Sequence, residues 1–185
     1  MRMSQEDKDR SHARIVASAS RLVREKGLEG ASVAEVMKDA GMTHGGFYKH
    51  FDNKDALIAE VLAAAFAEFS AVLEVGDPAR AFAAYRSRYL SQEHMLNRGL
   101  GCPAAALGSE IARESDTLKA AFGAGARRVA DSIARSRKGT PAARRKAAFR
   151  EISVLVGAIV IARASDPGLA GEILAACAKE MPQVQ

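Results

Sequence analysis

The most restrictive feature of the sequence is a very short connection between two predicted helices. Ser32 followed by Glu35 is a capping pattern, in which the serine hydroxyl accepts an amide hydrogen bond of the first turn and Glu35 reaches back. The helix that starts here runs to Ala40 and ends at Gly41, and Thr43 can cap the next helix. So short a link forces the two helices to cross sharply, which predicts a helix-turn-helix.

Further helices are predicted on both sides of this pair. Upstream, apolar residues recur at helical spacing over about residues 12–26, and Gly27 is a typical C-terminal stop. Downstream, Asp52 can cap a long fourth helix, in which an apolar stripe is formed by Leu57, Val61, Ala64 and Ala65, beside Phe66 and Phe69. We expect this helix to link two domains.

The rest of the chain is also punctuated by helix starts. Three of them place a capping residue before a proline, whose fixed φ and missing N–H suit a first helical turn: Asp77-Pro78, Thr140-Pro141 and Asp166-Pro167. Weaker starts lie at Cys102-Pro103 and near Ser115 or Asp116. No segment shows convincing strand alternation. We therefore predict an all-α fold, with a three-helix helix-turn-helix domain at 1–54 and a helical domain at 55–185.

Composition limits the class of protein. With 185 residues, 48% of them hydrophobic, the chain can bury one sizeable core or two modest cores that share a helix. The longest apolar run, residues 152–164, is shorter than the roughly 18–20 residues of a membrane span. Residues 1–14 mix charges of both signs and lack the apolar stretch of a secretion signal. Cys102 and Cys177 lie too far apart in sequence for a disulfide framework. We expect a cytoplasmic protein without a membrane partner.

The formal net charge of +5 suits a nucleic-acid partner, but its distribution does not locate one. Residues 1–60 hold as many Lys and Arg as Asp and Glu. Most of the basic excess lies at residues 127–150, where Asp131 is the only opposing charge. Solvated outer faces of two helices are the simpler interpretation of that run.

Enzyme classes find little support in the sequence. It contains no P-loop, HExxH motif or nucleophile elbow, and Gly123-Ala124-Gly125 lacks the strand that a dinucleotide fingerprint needs. The four histidines form no HxxxH pair and lie near no cysteine cluster. The sequence predicts neither catalysis, nor a metal site, nor a cofactor.

Residues 32–57 resemble the signature of the TetR family of transcriptional regulators. The similar stretch reads SVAEVMKDAGMTHGGFYKHFDNKDAL: a capped helix, an Ala-Gly turn, a polar helix start, then Phe-Tyr-x-His-Phe and Asn-Lys-x-x-Leu. With the preceding helix, the resemblance covers about the first 60 residues. It implies a homodimer that binds a palindromic double-stranded DNA operator, represses by default and is released by a small-molecule effector. The other interpretation is a DNA-binding protein that needs no ligand.

The resemblance implies roles for individual residues of this segment. Tyr48, His50 and Lys54 match positions that contact DNA phosphates in the family, which positions the protein without reading sequence. Ser32 and Thr43 lie at helix N-termini, where they either add phosphate contacts or serve only as caps.

Base reading is expected from the exposed side of the second helix of the motif, at His44, Gly45 and Lys49. Two mid-helix glycines, at positions 45 and 46, cost roughly 1 kcal/mol each relative to alanine, which indicates either close backbone approach to DNA or internal packing. A small core is predicted from Val33, Val36, Phe47, Phe51 and Leu57. The N-terminal Arg2, Lys8 and Arg10 either contact the DNA backbone or belong to a disordered tail, and the disordered tail is the expectation.

The last two predicted helices are the best dimerisation surface, because one is apolar around most of its circumference. The predicted contact residues are Phe149, Ile152, Val156, Ile159, Leu169, Ile173 and Cys177. Intramolecular core packing is the competing explanation for part of each helix. An apolar or electrophilic effector is expected to contact Phe66, Phe69, Phe82, Tyr85, Tyr89, Met95, Cys102, Leu107 and Phe122.

Cys102 precedes Pro103 at a predicted helix start, where the helix dipole lowers the pKa of a thiol and Arg98 lies nearby in sequence. A sensor thiol is one interpretation of this position. A small buried residue that serves the preceding turn is the other, and it agrees better with the usual burial of free cysteine.

Overall fold

The structure is a computed structural model that describes residues 5–178. These residues form an all-α fold without a strand, as the sequence predicts. Its helices are α1 Gln5–Gly30, α2 Val33–Asp39, α3 Lys54–Ala71, α4 Pro78–Tyr89, α5 Gln92–Leu96, α6 Pro103–Ile111, α7 Asp116–Ala134, α8 Pro141–Arg163 and α9 Pro167–Ala178. A short 3-10 helix, His44–Lys49, follows α2 and is called the recognition segment below. Within this part of the chain, no helix combines the length and apolarity needed to cross a membrane.

Local capping sets most of the helix starts. Asp77, Thr140 and Asp166 each accept backbone hydrogen bonds from the first turn of the proline-initiated helices α4, α8 and α9. The weaker starts, at Pro103 and Asp116, are also present. A side chain that accepts a hydrogen bond from the backbone N–H three residues later thus marks where these helices begin.

Four details of the first helices differ from expectation. Helix α1 begins at Gln5 rather than near residue 12, and Gly27, with φ 81°, kinks it instead of ending it. Asn53, not Asp52, caps α3, by accepting the Ala56 N–H at 2.8 Å. The Glu35 carboxylate pairs with Lys26 rather than reaching back to the cap, although the Ser32 hydroxyl does accept the Glu35 N–H at 3.2 Å.

Helices α3 and α7 form the centre of the fold, side by side and parallel. Ser115, at the start of α7, donates to Asp55 at 2.7 Å, and further along Arg128 donates to Ser70 at 2.8 Å. Gly125 lies directly against the Phe66 ring, which sets how closely the two helices approach. Helix α3 thus runs from the N-terminal helices into the middle of the C-terminal ones.

The buried side chain of Arg86 connects helix α4 to the last two helices. Arg86 donates to Glu151 of α8 at 2.8 Å and to the carbonyls of Cys177 and Ala178 in α9, at 2.6 Å each. Arg137 reaches the other oxygen of Glu151 at 3.1 Å and lies over the Phe82 ring. Part of the basic run at residues 127–150 is therefore structural rather than solvated.

Candidate nucleic-acid interface and effector cavity

The recognition segment is held by one buried ring and exposes the side chains around it. Phe47 is only 1% exposed and stacks on Phe51 at 5.6 Å between ring centroids. Its neighbours His44, Tyr48 and Lys49 are exposed, Tyr48 to 71%. Because a 3-10 helix turns more tightly than an α-helix, the short segment presents these side chains on a narrow ridge. The predicted core residues Val36, Phe47, Phe51 and Leu57 are buried, and Val33 is partly buried.

Gly45 occupies open space. A β-carbon built on it would meet no atom within 4 Å, and its φ does not require glycine. Internal packing therefore does not explain this glycine. At Gly46 a β-carbon would lie 3.5 Å from Met37 Cε, an ordinary contact inside the domain.

His50 is half-buried at the end of the recognition segment. Its Nδ1 is buried and has no hydrogen-bond partner among the described residues. Burial lowers the pKa of its imidazole, and the nearby side chains of His12, Lys8 and Lys49 lower it further. Only the other ring nitrogen can then face a phosphate.

The other predicted phosphate contacts differ in whether their polar groups already form hydrogen bonds within the protein. Lys54 is half-buried, and its ammonium donates to the Leu28 carbonyl near the end of α1, so this side chain joins two helices. Ser32 is occupied as a cap, whereas Thr43, also exposed, forms no capping hydrogen bond. The Thr43 hydroxyl thus does not cap the recognition segment, contrary to expectation.

The expected disordered N-terminal tail is wrong for residues 5–11, which belong to α1. Arg10 pairs there with Asp7 at 2.6 Å and with Glu6 at 3.8 Å, and Lys8 is exposed on the same helix. Arg2 lies outside the described residues.

A cavity of about 560 Å³ opens between α3, α4 and the segment around α5, and is called the effector cavity below. It contains three of the predicted ligand contacts, Phe69, Tyr85 and Tyr89. The remaining lining residues were not predicted from the sequence: Glu68, Val72, Val75, Ala81, Ala84, Arg88, His94 and Leu100. The helical spacing of Tyr85, Arg88 and Tyr89, which puts them on one face of α4, is the signal that could have identified Arg88.

The other predicted ligand contacts lie elsewhere. Phe66 and Cys102 line a small inner space of about 20 Å³ next to the effector cavity, and Met95 lines a separate groove against α8 and α9. Three residues pack inside the protein instead: Phe82 under Arg137, Leu107 fully buried, and Phe122 edge-on to Phe66. Core packing therefore accounts for Phe82, Leu107 and Phe122.

Cys102 is buried at the start of α6, and burial raises the pKa of its thiol. The expected lowering by the helix dipole is therefore overturned, because desolvation of the thiolate exceeds the stabilisation by nearby donors. A small buried residue at a turn is the interpretation that the geometry favours.

The predicted dimerisation residues divide into two groups. Phe149 and Leu169 are exposed to 40% and 46%, and Ile152, Val156, Ile173 and Cys177 are partly exposed. Ile159 is fully buried within the protomer, so its packing is intramolecular and its prediction as a contact is corrected. Val160 and Ile161, exposed to 45% and 55%, lie beside it and were missing from the prediction.

Comparison with known proteins gives consistent results. Residues 15–61 match the model of the bacterial regulatory proteins of the tetR family. An uncharacterized HTH-type transcriptional regulator of Bacillus subtilis, YvdT, is 38% identical over 50 residues, a match that spans 27% of this chain and 26% of that protein.

Similar solved structures cover most of the chain. The reduced form of Escherichia coli NemR superposes with a TM-score of 0.76 at 20% identity, over 91% of this chain and 93% of that one. A TetR-family regulator from Agrobacterium tumefaciens superposes with a TM-score of 0.70 at 23% identity, over 91% and 95%. The fold is thus that of TetR-family structures, and residues 15–61 of the chain are similar to the tetR family of bacterial regulatory proteins.

Proposed function

We propose that this protein is a homodimeric repressor that binds a palindromic DNA operator and is released by a small effector. The observation that carries DNA binding is the recognition segment, in which Tyr48 and Lys49 are exposed and Gly45 faces open space. A ridge of this size fits the major groove, where Lys49 can reach a guanine edge and Tyr48 a phosphate.

Dimerisation is supported by the exposed apolar side chains of α8 and α9. Exposed large apolar side chains on these two helices give them an apolar surface; they are Phe149, Val160, Ile161 and Leu169. Two copies related by a two-fold axis would bury this surface and place two recognition segments on one duplex.

Effector binding is supported by the effector cavity. Its volume of about 560 Å³ is in the range of small-molecule sites, and its walls are mainly aromatic and aliphatic. Arg88 and Glu68 supply the charges of the lining. An effector with an apolar, ring-containing body and a polar group able to reach Arg88 fits this lining. The raised pKa of the Cys102 thiol speaks against an effector that acts by attack on this cysteine.

The test is a footprint and titration on the promoter beside the protein's own gene, at moderate salt. Tyr48→Phe should weaken binding to every sequence similarly, whereas Lys49→Ala should alter the preference among sequences. Lys119→Ala, an exposed cation on α7, is the matched control and should change neither. A monomeric protein with no preference for any duplex over random DNA would overturn the proposal.

A further inference from the structure

The hydroxyl group of Tyr89 is a buried hydrogen-bond donor without a strong partner. Tyr89, at the end of α4, is only 3% exposed, and its hydroxyl oxygen has no well-formed hydrogen bond within residues 5–178. The Cys102 thiol is close enough to interact with this hydroxyl, but a thiol is only a weak donor and acceptor. Because an unsatisfied buried hydroxyl costs free energy, its presence here indicates a partner that the chain itself does not supply.

This hydroxyl lies at the boundary between two spaces. Tyr89 lines the effector cavity, of about 560 Å³, and also the inner space, of about 20 Å³. Phe69 and Tyr85 line both spaces too, so the three rings form the boundary. Cys102, which interacts with the Tyr89 hydroxyl, lines the inner space. Since the inner space has room for about one oxygen-sized group, a molecule in the effector cavity can place one such group against Tyr89.

Two other polar side chains of the effector cavity are less able to select a ligand. Both ring nitrogens of His94 are occupied, one by the Cys102 N–H and the other by the Tyr89 carbonyl. Arg88 is exposed, so water already satisfies its guanidinium and a ligand gains less from replacing that water. Tyr85 carries the second hydroxyl of the lining and is the comparison in the experiment below.

The surroundings of the Tyr89 hydroxyl favour a neutral acceptor. Burial raises the pKa of Tyr89 well above its ordinary value, so the hydroxyl remains protonated and able to donate at neutral pH. The inner space is lined mainly by apolar side chains, among them Phe66, Val129 and Leu155, and by no basic residue of the described chain. A carboxylate would lose its hydration there without a compensating cation, whereas a carbonyl oxygen needs only one donor.

We propose, on the basis of the proposed function, that Tyr89 makes the effector cavity selective for flat ring compounds that carry a neutral carbonyl group at one end. The Tyr89 hydroxyl donates to the carbonyl oxygen, which enters the inner space. The ring body lies in the effector cavity beside Phe69, whose ring contacts those of Tyr85 and His94. A molecule of the same shape without the acceptor leaves the buried hydroxyl unsatisfied, which lowers its affinity.

Two probes of the same shape isolate this hydrogen bond without knowledge of the natural effector. 2-Acetylnaphthalene carries a terminal carbonyl group, and 2-isopropenylnaphthalene has a methylene group in place of the oxygen. Isothermal titration calorimetry measures both dissociation constants for the full chain and for its variants. Comparing the ratio of the two constants between variants removes the contribution of the ring body that the probes share.

Tyr89→Phe should shift this ratio about fivefold or more toward 2-isopropenylnaphthalene, the size of one hydrogen bond. Tyr85→Phe is the matched control, since it removes a hydroxyl from the same helix and the same lining, and it should shift the ratio less than about twofold. Arg88→Met tests whether the carbonyl group binds the exposed guanidinium instead, and it should also leave the ratio within about twofold.

The protein without a probe provides a second measurement, because a hydroxyl that stabilises the fold would behave differently. Tyr89→Phe should leave the melting temperature unchanged or raise it, since it removes a buried donor that lacks a strong partner. A decrease of more than about 4 °C would show that the hydroxyl is already well bonded inside the protein.

Such a decrease would overturn the proposal. So would the absence of saturable binding of 2-acetylnaphthalene, an unchanged ratio in Tyr89→Phe, or an equal shift in Tyr85→Phe or Arg88→Met. Because these measurements contain no DNA, they are independent of operator binding. Failure of the unliganded protein to bind any operator would instead overturn the proposed function.

Discussion

The imidazole of His94 accepts a hydrogen bond from the Cys102 backbone N–H at 2.9 Å. Its other nitrogen lies 2.6 Å from the Tyr89 carbonyl, which can only accept. The two partners therefore fix one neutral tautomer, with the proton on Nδ1 and a lone pair on Nε2. A protonated His94 would present a donor to the Cys102 donor and lose this contact.

Stability should therefore fall in mild acid because of His94. Burial lowers the pKa of the imidazole, and the charges of Arg163 and Arg88 lower it further. The hydrogen bond to the Tyr89 carbonyl raises it by a smaller amount. Phe69 and Cys102 also face the ring. Since the folded pKa lies below the unfolded value of about 6.5, the unfolded chain takes up the proton first. The stability that neutral His94 contributes is therefore fully present above the unfolded pKa and is lost as the pH falls through the folded pKa.

Urea unfolding between about pH 5 and 8 measures this contribution. His94→Gln, which does not titrate, should flatten the pH dependence by an amount on the order of one hydrogen bond, about 1 kcal/mol. The pKa of His50 is also lowered, so His50→Gln is the comparison variant. It should retain the part of the pH dependence of stability that is due to His94. An identical pH profile for His94→Gln and the unchanged protein would contradict the assignment.

The contact between α3 and α7 should tolerate no side chain at Gly125. A β-carbon there would lie 2.8 Å from Phe66 Cβ and closer still to Cγ and Cδ2. Gly125→Ala should therefore destabilise the protein by about 1–3 kcal/mol, as overpacking does. Gly123→Ala, on the same helix and 3.6 Å from the flexible end of Arg127, should be neutral or stabilise by about 0.5–1 kcal/mol. Equal unfolding midpoints for the two variants would show that the helices can separate.

Much of this fold could be predicted because helix starts are encoded locally. The prolines at positions 78, 103, 141 and 167 each begin a helix, and for three of them the preceding residue, Asp77, Thr140 or Asp166, is the cap. Helix α5 was missed because its signal is weak: Ser91 caps only five residues, Gln92–Leu96. The boundary at Asp52 was displaced by one residue because aspartate and asparagine cap about equally well.

The candidate sites were harder to predict, because burial depends on contacts distant in sequence. Cys102 has the local sequence of an activated thiol, but its pKa is set by desolvation among residues from other helices. Ile159 has the apolar character of an interface residue, but lies inside the protomer. Arg24 and Glu110 carry no motif, and only the folded chain shows that they join α6 to α1.

Gly45 should matter for DNA binding and not for folding. With open space around the position of a β-carbon, Gly45→Ala should leave the melting temperature unchanged or raise it slightly. The added methyl group should obstruct close approach of the backbone to DNA and weaken operator binding about tenfold, or 1.4 kcal/mol. Gly46→Ala, which points toward Met37 rather than outward, is the control for a change on the inner side of the segment. Undiminished operator affinity of Gly45→Ala would show that the backbone does not approach the duplex closely.

The uncovered apolar surface of α8 and α9 should be required for dimerisation. Val160→Glu places a charge beside Ile161 on the exposed side of α8 without disturbing the core, because Val160 is already 45% exposed. In a two-fold contact this charge would have to be desolvated. It would also be repelled by the same glutamate of the second copy. Light scattering after gel filtration should therefore show a monomer, and affinity for a palindromic operator should fall toward that for a single half-site. Ala120→Glu, an exposed position on α7, should leave both unchanged. A Val160→Glu protein that remained dimeric would place the interface on another face of the molecule.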